Sequence, residues 1–164
     1  MADIRSKAFG VALGVFALDR LTKWIIESRL SFFDTYKVIP GFFDIVRSQN
    51  SGVAFGIFND STSQWRTTLL VIASLVAVAL LTGMLWKART LDRRSLWGFS
   101  LILGGAAGNV YDRIVSGHVT DFLLLYIGQY QWPTFNVADS AIVVGSGLLL
   151  LDLLRPKPQA THVS

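Results

Sequence analysis

Between Gly104 and Asp139 the chain reads GGAAGNVYDRIVSGHVTDFLLLYIGQYQWPTFNVAD, and no other stretch restricts the fold so strongly. A glycine- and alanine-rich apolar run passes into Asn109, Asp112 and Arg113, a short loop carries Asp121, and Asp139 opens the next long apolar run. The chain around it is 52% hydrophobic and only 16% charged, with a mean hydropathy of +0.48, too apolar for an ordinary soluble domain. Charge beside hydrocarbon is costly, so three carboxylates at one membrane boundary are a candidate functional site whose partners must be named. The rest of the chain reads as a scaffold that sets Asp121 opposite Asp139.

The same composition removes several functions. There are no cysteines, which excludes disulfides, thiol nucleophiles, iron–sulfur clusters and cysteine-ligated zinc. The two histidines, His118 and His162, have no neighbours at metal-ligand spacing, so no metal and no cofactor is expected. A net charge of +4 is compatible with nucleic acid, yet the basic residues sit at helix ends instead of along one stripe, so no nucleic acid is expected.

Read in order, the chain predicts an all-α membrane protein: four transmembrane helices, about 8–26, 67–86, 95–114 and 138–154, in one domain spanning 1–164. The first apolar run totals about 19 residues, enough to cross roughly 30 Å of hydrocarbon at 1.5 Å per residue. Arg5 and Lys7 before that run, with Val15-Phe16-Ala17 inside it as a loose cleavage site, also fit a cleavable signal peptide, but three further spans follow. Residues 27–65 contain short runs at Tyr36 to Ile39, Phe42 to Arg47 and Val53 to Phe58, separated by Pro40-Gly41 and Asn50-Ser51-Gly52. These are strand and turn signals, and they predict a small β-sheet lying on the outer membrane surface.

Orientation follows from the basic residues. Residues 1–7, 87–94 and 155–164 hold eight lysines and arginines, whereas the longer 27–65 and 115–137 hold three, so the former face the cytoplasm and both termini lie inside. Trp24, Trp65 and Trp132 fall at predicted outer ends and Trp86 and Trp97 at inner ends, as interfacial belts require. Asp19, Lys23, Asp112, Arg113, Asp121 and Asp139 then gather at the outer, periplasmic boundary.

Each of these residues has a plain structural reading too. Asp19 and Lys23 are four apart on one helical face and suit an ion pair with Lys23 snorkelling outward. Asn109, Asp112 and Arg113 share a face with Gly105 and Gly108, which suits close helix packing, and Asp112 suits neutralisation of a neighbouring arginine. Asp139 follows Asn136, a plausible N-cap, and an acid in the first turn is favoured by the helix dipole. Asp121 resists such a reading, because Phe122 to Ile127 follow it and no nearby lysine or arginine neutralises it. Set against Asp139, it shares one proton, and such a pair can activate water while polarising a carbonyl. That is aspartic protease chemistry. There is no GxSxG elbow and no HExxH motif to support a rival scheme.

Five blocks in order, Asp19-Arg-Leu-Thr-Lys23, Gln49-Asn-Ser-Gly-Val-Ala-Phe-Gly56, Gly104 to Arg113, Val119-Thr-Asp-Phe122 and Phe135-Asn-Val-Ala-Asp139, resemble the lipoprotein signal peptidases (signal peptidase II) of bacterial inner membranes. The resemblance implies Asp121 and Asp139 as catalytic residues, with Asp19, Lys23, Asn50, Gly52, Gly108, Asn109, Asp112, Arg113, Asn136 and Ala138 around them. It implies cleavage of a prolipoprotein signal peptide before a diacylglyceryl-modified cysteine, contact with membrane lipid, and inhibition by the cyclic peptide globomycin. Asn50 and Arg113 are expected to hold substrate backbone groups, and Phe55 with its neighbours to close over the substrate. Two other classes fit less well: a small proton-coupled transporter, which favours acids at several depths or a midplane site between repeats, and a non-catalytic assembly factor.

Overall fold

The computed structural model describes residues 4–52, 64–87 and 92–155, and among these the order of elements is helix, two strands, two helices, two strands, helix. The helices are α1 (Ile4–Arg29), α2 (Gln64–Lys87), α3 (Arg93–Ser116) and α4 (Val137–Leu153). α1 runs three residues past its apolar stretch, because Arg47 donates to the carbonyls of Glu27 and Leu30 at its C-terminal end. α3 opens on Asp92, whose side chain accepts from the Arg94 amide, and closes on the left-handed Gly117, which donates to Arg113.

α3 is the central helix, packed against α1, α2 and α4. Its N-terminal half meets the start of α1 and the end of α2 in an apolar core of Ala8, Ala12, Leu85, Leu96 and Leu103, with Phe9, Val78, Leu81 and Phe99 against it. Its C-terminal half buries Asn109 and Asp112 instead. The outside of the bundle is apolar: Leu13 and Leu21 on α1, Ile72 and Leu80 on α2, and Val143 and Leu151 on α4 are all exposed. A continuous apolar exterior of this kind belongs in lipid, not in water.

Among the described residues one helix segment, Thr68–Lys87, is by itself long and apolar enough to cross a membrane, with a mean hydropathy of 2.5. α1 and α3 carry several charges and α4 has 17 residues. Their charges at Asp19, Lys23 and Asp112 are buried in the bundle, so composition underrates how apolar their outer faces are.

The sheet is antiparallel in the order β1 (Thr35–Ile39), β2 (Phe43–Asn50), β3 (Val119–Ile127), β4 (Tyr130–Gln131). Half of it comes from 119–131, where the sequence suggested a loop; an apolar run as short as Phe122 to Ile127 reads equally as strand or buried helix. The third predicted strand, Val53 to Phe58, and the proposed lid residue Phe55 lie outside the described residues. Pairing of β2 with β3 slips between Ile45 and Ser48, a bulge that leaves Ser48 opposite Asp121 and Asn50 opposite Val119.

Candidate active site

Strand β3 delivers Asp121 to the C-terminal ends of α1 and α3, and its carboxylate is 1% exposed. Each oxygen has an amide donor: Asn50 Nδ2 at 3.0 Å on one and Asn136 Nδ2 at 2.7 Å on the other. Burial raises its pKa from the ordinary 3.8 to about 6, the Asp139 charge adds to the rise, and the two amide bonds and Lys23 oppose it.

Asn136 is the joint of the site. It is fully buried and forms a capping box with Asp139: its Oδ1 accepts from the Asp139 amide at 3.0 Å, and its own amide donates to Asp139 Oδ2 at 3.2 Å. The same side chain donates to Asp121, so one asparagine orients both carboxylates. The capping role expected of Asn136 and the pairing expected of Asp139 are therefore one arrangement. Asn109 Nδ2 holds the other oxygen of Asp139 at 2.7 Å, and Asn109 Oδ1 accepts from Lys23 Nζ at 3.1 Å.

Behind these amides lies a compact ion cluster. Lys23, fully buried, reaches Asp19 Oδ2 at 2.8 Å and Asp112 Oδ2 at 2.7 Å, and Asp112 also pairs with Arg20. Lys23 thus points into the bundle and does not snorkel, because two carboxylates and an amide oxygen offer it more than the interface would. The arginine that Asp112 neutralises is Arg20, whose guanidinium also lies over the Tyr111 ring at 4.5 Å. Asp19 Oδ1 accepts from the Ala138 amide at 3.0 Å, tying α1 to the first turn of α4.

The small residues make this approach feasible. A Cβ on Gly108 would stand 2.4 Å from Asp19 Oδ2, and one on Gly105 would stand 2.4 Å from the Ala138 carbonyl oxygen. Gly52 combines a φ of 97° with an amide that donates to Asn50 Oδ1 at 2.9 Å, so it turns the chain while fixing the asparagine that serves Asp121. Arg113 Nη1 donates to the Asn109 carbonyl, and its charge acts on Asp139 and Asp121. Its Nε is buried with no partner among the described residues.

Every charged, amide or small residue singled out for the site thus falls in or against one network, Phe55 lying outside the described residues. Three participants escaped that reading: Arg20, Glu27 and Thr120, the last donating to Glu27 Oε1 at 2.6 Å. A signal for Glu27 was present, since Asp19, Lys23 and Glu27 repeat at four-residue spacing on one face of α1.

An apolar-sided helix bundle with one buried and one half-buried carboxylate oriented by one asparagine defines a membrane protein suited to acid–base chemistry. A family model described as signal peptidase (SPase) II matches residues 11–155. The chain is 67% identical over 164 residues to the lipoprotein signal peptidase of Solibacter usitatus (strain Ellin6076), covering 100% of both chains. It is 40% identical over 157 residues to that of Nitratidesulfovibrio vulgaris (strain DP4), covering 92% of this chain and 91% of the relative. Two solved structures described as bacterial membrane enzymes, obtained by the in meso method at 2.3 and 1.9 Å resolution, superpose with TM-scores of 0.79 and 0.80. Their identities are 31% and 30%, with 91% and 93% of this chain covered and 88% and 95% of theirs. The chain belongs to the signal peptidase II family and is a membrane protease.

Proposed function

We propose that Asp121 and Asp139 are the catalytic pair of an aspartic endopeptidase that removes the signal peptide of bacterial prolipoproteins, cutting before the diacylglyceryl-modified cysteine. The observation that carries this reading is Asn136, which donates to Asp121 and caps onto Asp139 and so holds both carboxylates toward one point. Charge agrees with it. Lys23 and Arg20 balance Asp19 and Asp112, which leaves Arg113 facing the pair, and a pair sharing one proton carries the single negative charge that Arg113 matches.

The shared proton resides on Asp121, where burial favours the neutral acid. Asp139 takes a proton from a water held between them as the water oxygen attacks the scissile carbonyl carbon. The Asp121 proton moves onto the carbonyl oxygen. Collapse of the tetrahedral species returns that proton to Asp121, breaks the C–N bond and passes the Asp139 proton to the leaving amine, so one water is divided across the bond. Arg113 Nε supplies a directed donor for a substrate carbonyl, and the second amide proton of Asn50 another.

In this reading 1–164 is a single domain whose four helices all span the bacterial inner membrane, with both termini and the 155–164 tail cytoplasmic. Residues 27–65 lie on the outer surface, and the site stands near that face, at the depth where a lipidated cysteine holds its peptide bond. Acyl chains of substrate or lipid lie against the bundle, and globomycin occupies the same site. A proton-coupled transporter would string its acids across the bundle; Asp19, Asp112, Asp121 and Asp139 instead meet in one network.

The test is processing of a diacylglyceryl-modified proprotein, followed by gel shift, with purified wild type, Asp121→Asn, Asp139→Asn and Asp112→Asn. Loss of cleavage in folded Asp121→Asn and Asp139→Asn is the expected result. Near-normal turnover in either, with Asp112→Asn dead, would move the chemistry to Asp112.

A further inference from the structure

The polar stripe of α1 does not end at Lys23. One turn on, Glu27 accepts from Thr120 Oγ1 at 2.6 Å, and Thr120 is buried and immediately precedes Asp121 in β3. The Thr120 carbonyl in turn accepts from Asn136 Nδ2 at 3.4 Å, so the residue is held from the α1 side by its hydroxyl and from the α4 side by its backbone. The neighbouring strand is tied to the same turn of helix. Arg47, in the β2 bulge, donates to the Glu27 carbonyl at 3.1 Å and the Leu30 carbonyl at 3.0 Å, and its guanidinium stacks over Phe32 at 4.4 Å. Bulges re-aim side chains beside functional sites, and this one lets β2 grip α1 through Arg47 while Ser48 stays opposite Asp121.

The consequence is geometric. Asp121 and Asn50 ride on a strand pair, whereas Asp139, Asn109 and Asn136 ride on or cap helices. A strand pair slides and tilts relative to a bundle unless something couples the two, and a displacement of about 1 Å at a reacting group is enough to cost roughly a hundredfold in rate. Asp19, Lys23 and Glu27 assign one turn of α1 to each attachment: Asp19 to the start of α4, Lys23 to α3, Glu27 to β3.

We infer that Glu27 is a positioning residue for this protease, acting through the Thr120 hydroxyl to set strand β3, and with it Asp121, against the helices that carry Asp139. The inference rests on the assignment of Asp121 to the catalytic pair. The Glu27 and Thr120 side chains bond to each other and not to Asp121 or Asp139, so their effect falls on turnover and not on substrate binding.

The experiment measures kcat and KM separately on a diacylglyceryl-modified proprotein in detergent, for Thr120→Val, Thr120→Ser, Glu27→Ala, Glu27→Gln and the double variant Glu27→Ala/Thr120→Val, with Asp121→Asn beside them. Thr120→Val keeps the shape and removes the donor; Thr120→Ser keeps the donor; Glu27→Gln keeps an acceptor oxygen. Expected is a fall in kcat of roughly ten- to a hundredfold for Thr120→Val and Glu27→Ala, with KM within about twofold. Thr120→Ser and Glu27→Gln recover most of the loss, and the double variant is no slower than the worse single one. Wild-type kcat in Thr120→Val overturns the inference, as does a loss that Thr120→Ser fails to recover or that appears in KM alone. If Glu27→Ala does not fold, the two Thr120 variants decide. Retained cleavage in Asp121→Asn marks failure of the catalytic assignment itself, and a dead Asp121→Asn beside an unaffected Thr120→Val marks failure of the positioning role alone.

Discussion

Two clusters of carboxylates stand side by side in this bundle and are held in opposite ways. Asp19 and Asp112 are matched by the cations of Lys23 and Arg20, at ion-pair distance and on neighbouring helices. Asp121 and Asp139 are held by asparagines, Asn50, Asn136 and Asn109, which donate hydrogen bonds and bring no charge. A carboxylate held by a buried cation is tied to its partner's charge and serves as a fastening. One held by neutral amides keeps its orientation while remaining free to exchange a proton, which is what an acid–base pair needs. Asn109 joins the two systems, accepting from Lys23 and donating to Asp139.

The largest effects should separate the two clusters by what they damage. Asp121→Asn and Asp139→Asn are each expected to lower kcat more than a thousandfold, about 4 kcal/mol of barrier, and the double variant to be no slower than the singles, as for members of one unit. Melting curves of Asp121→Asn should show a folded protein. A double variant slower by the product of the single losses would mean that the carboxylates act separately. Lys23→Met is expected to do the reverse: it leaves Asp19 and Asp112 facing each other without their shared cation, costing about 3–5 kcal/mol of stability. Thermal unfolding in detergent reads this directly. A Lys23→Met protein that melts with wild type would show that the ion cluster is not a fastening.

The two clusters also differed in how far the sequence revealed them. Asp121 stood out because an apolar run follows it with no cation at hand, whereas Asp139 read as a first-turn acid behind the Asn136 N-cap until it was set against Asp121. The spacing of Asp19 and Lys23 announced a pair, but the face they turn to depends on which helix packs there. Hence Lys23 points inward and Arg20 serves Asp112. Partners more than 80 residues apart, such as Glu27 and Thr120, are set by the crossing of α1 with β3, which no local pattern encodes. The sheet was half legible. β1 and β2 carry turn signals at Pro40-Gly41, whereas β3 is a nearly unbroken apolar run whose strand character comes from pairing with β2.

Acidity gives a third contrast. Asp121 has its pKa raised to about 6 by burial and by Asp139, against Asn50, Asn136 and Lys23, with Arg113 facing the pair from α3. The folded protein therefore holds this proton more tightly than the unfolded chain does. That contribution is complete below the unfolded value near 3.8 and is lost as pH rises through about 6. Over that window wild type should lose up to roughly 3 kcal/mol relative to Asp121→Asn. Parallel melting curves of the two proteins between pH 4 and 7 check it; curves that stay parallel would place the proton elsewhere. Cleavage should likewise fall as pH rises past the point where the pair gives up its shared proton.

The smallest effect probes the seam between the clusters. Gly108→Ala adds a methyl 2.4 Å from Asp19 Oδ2 and 3.0 Å from its Cγ, and Asp19 is fully buried. Asp19 must shift, and with it the bonds to Lys23 and to the Ala138 amide. Overpacking of this size costs about 1–3 kcal/mol. Because Ala138 precedes Asp139 in the first turn of α4, the displacement also reaches one carboxylate of the proposed catalytic pair, and kcat should fall several-fold while the pair itself stays chemically intact. Asp19→Ala at the same time removes the clash and the ion pair together. If Gly108→Ala stabilises the Asp19→Ala background, as Gly to Ala exchange does in an open helix, the clash with Asp19 is the whole reason for the glycine. An undiminished penalty there would assign Gly108 to backbone packing, and the fastening cluster would lose its claim on that position.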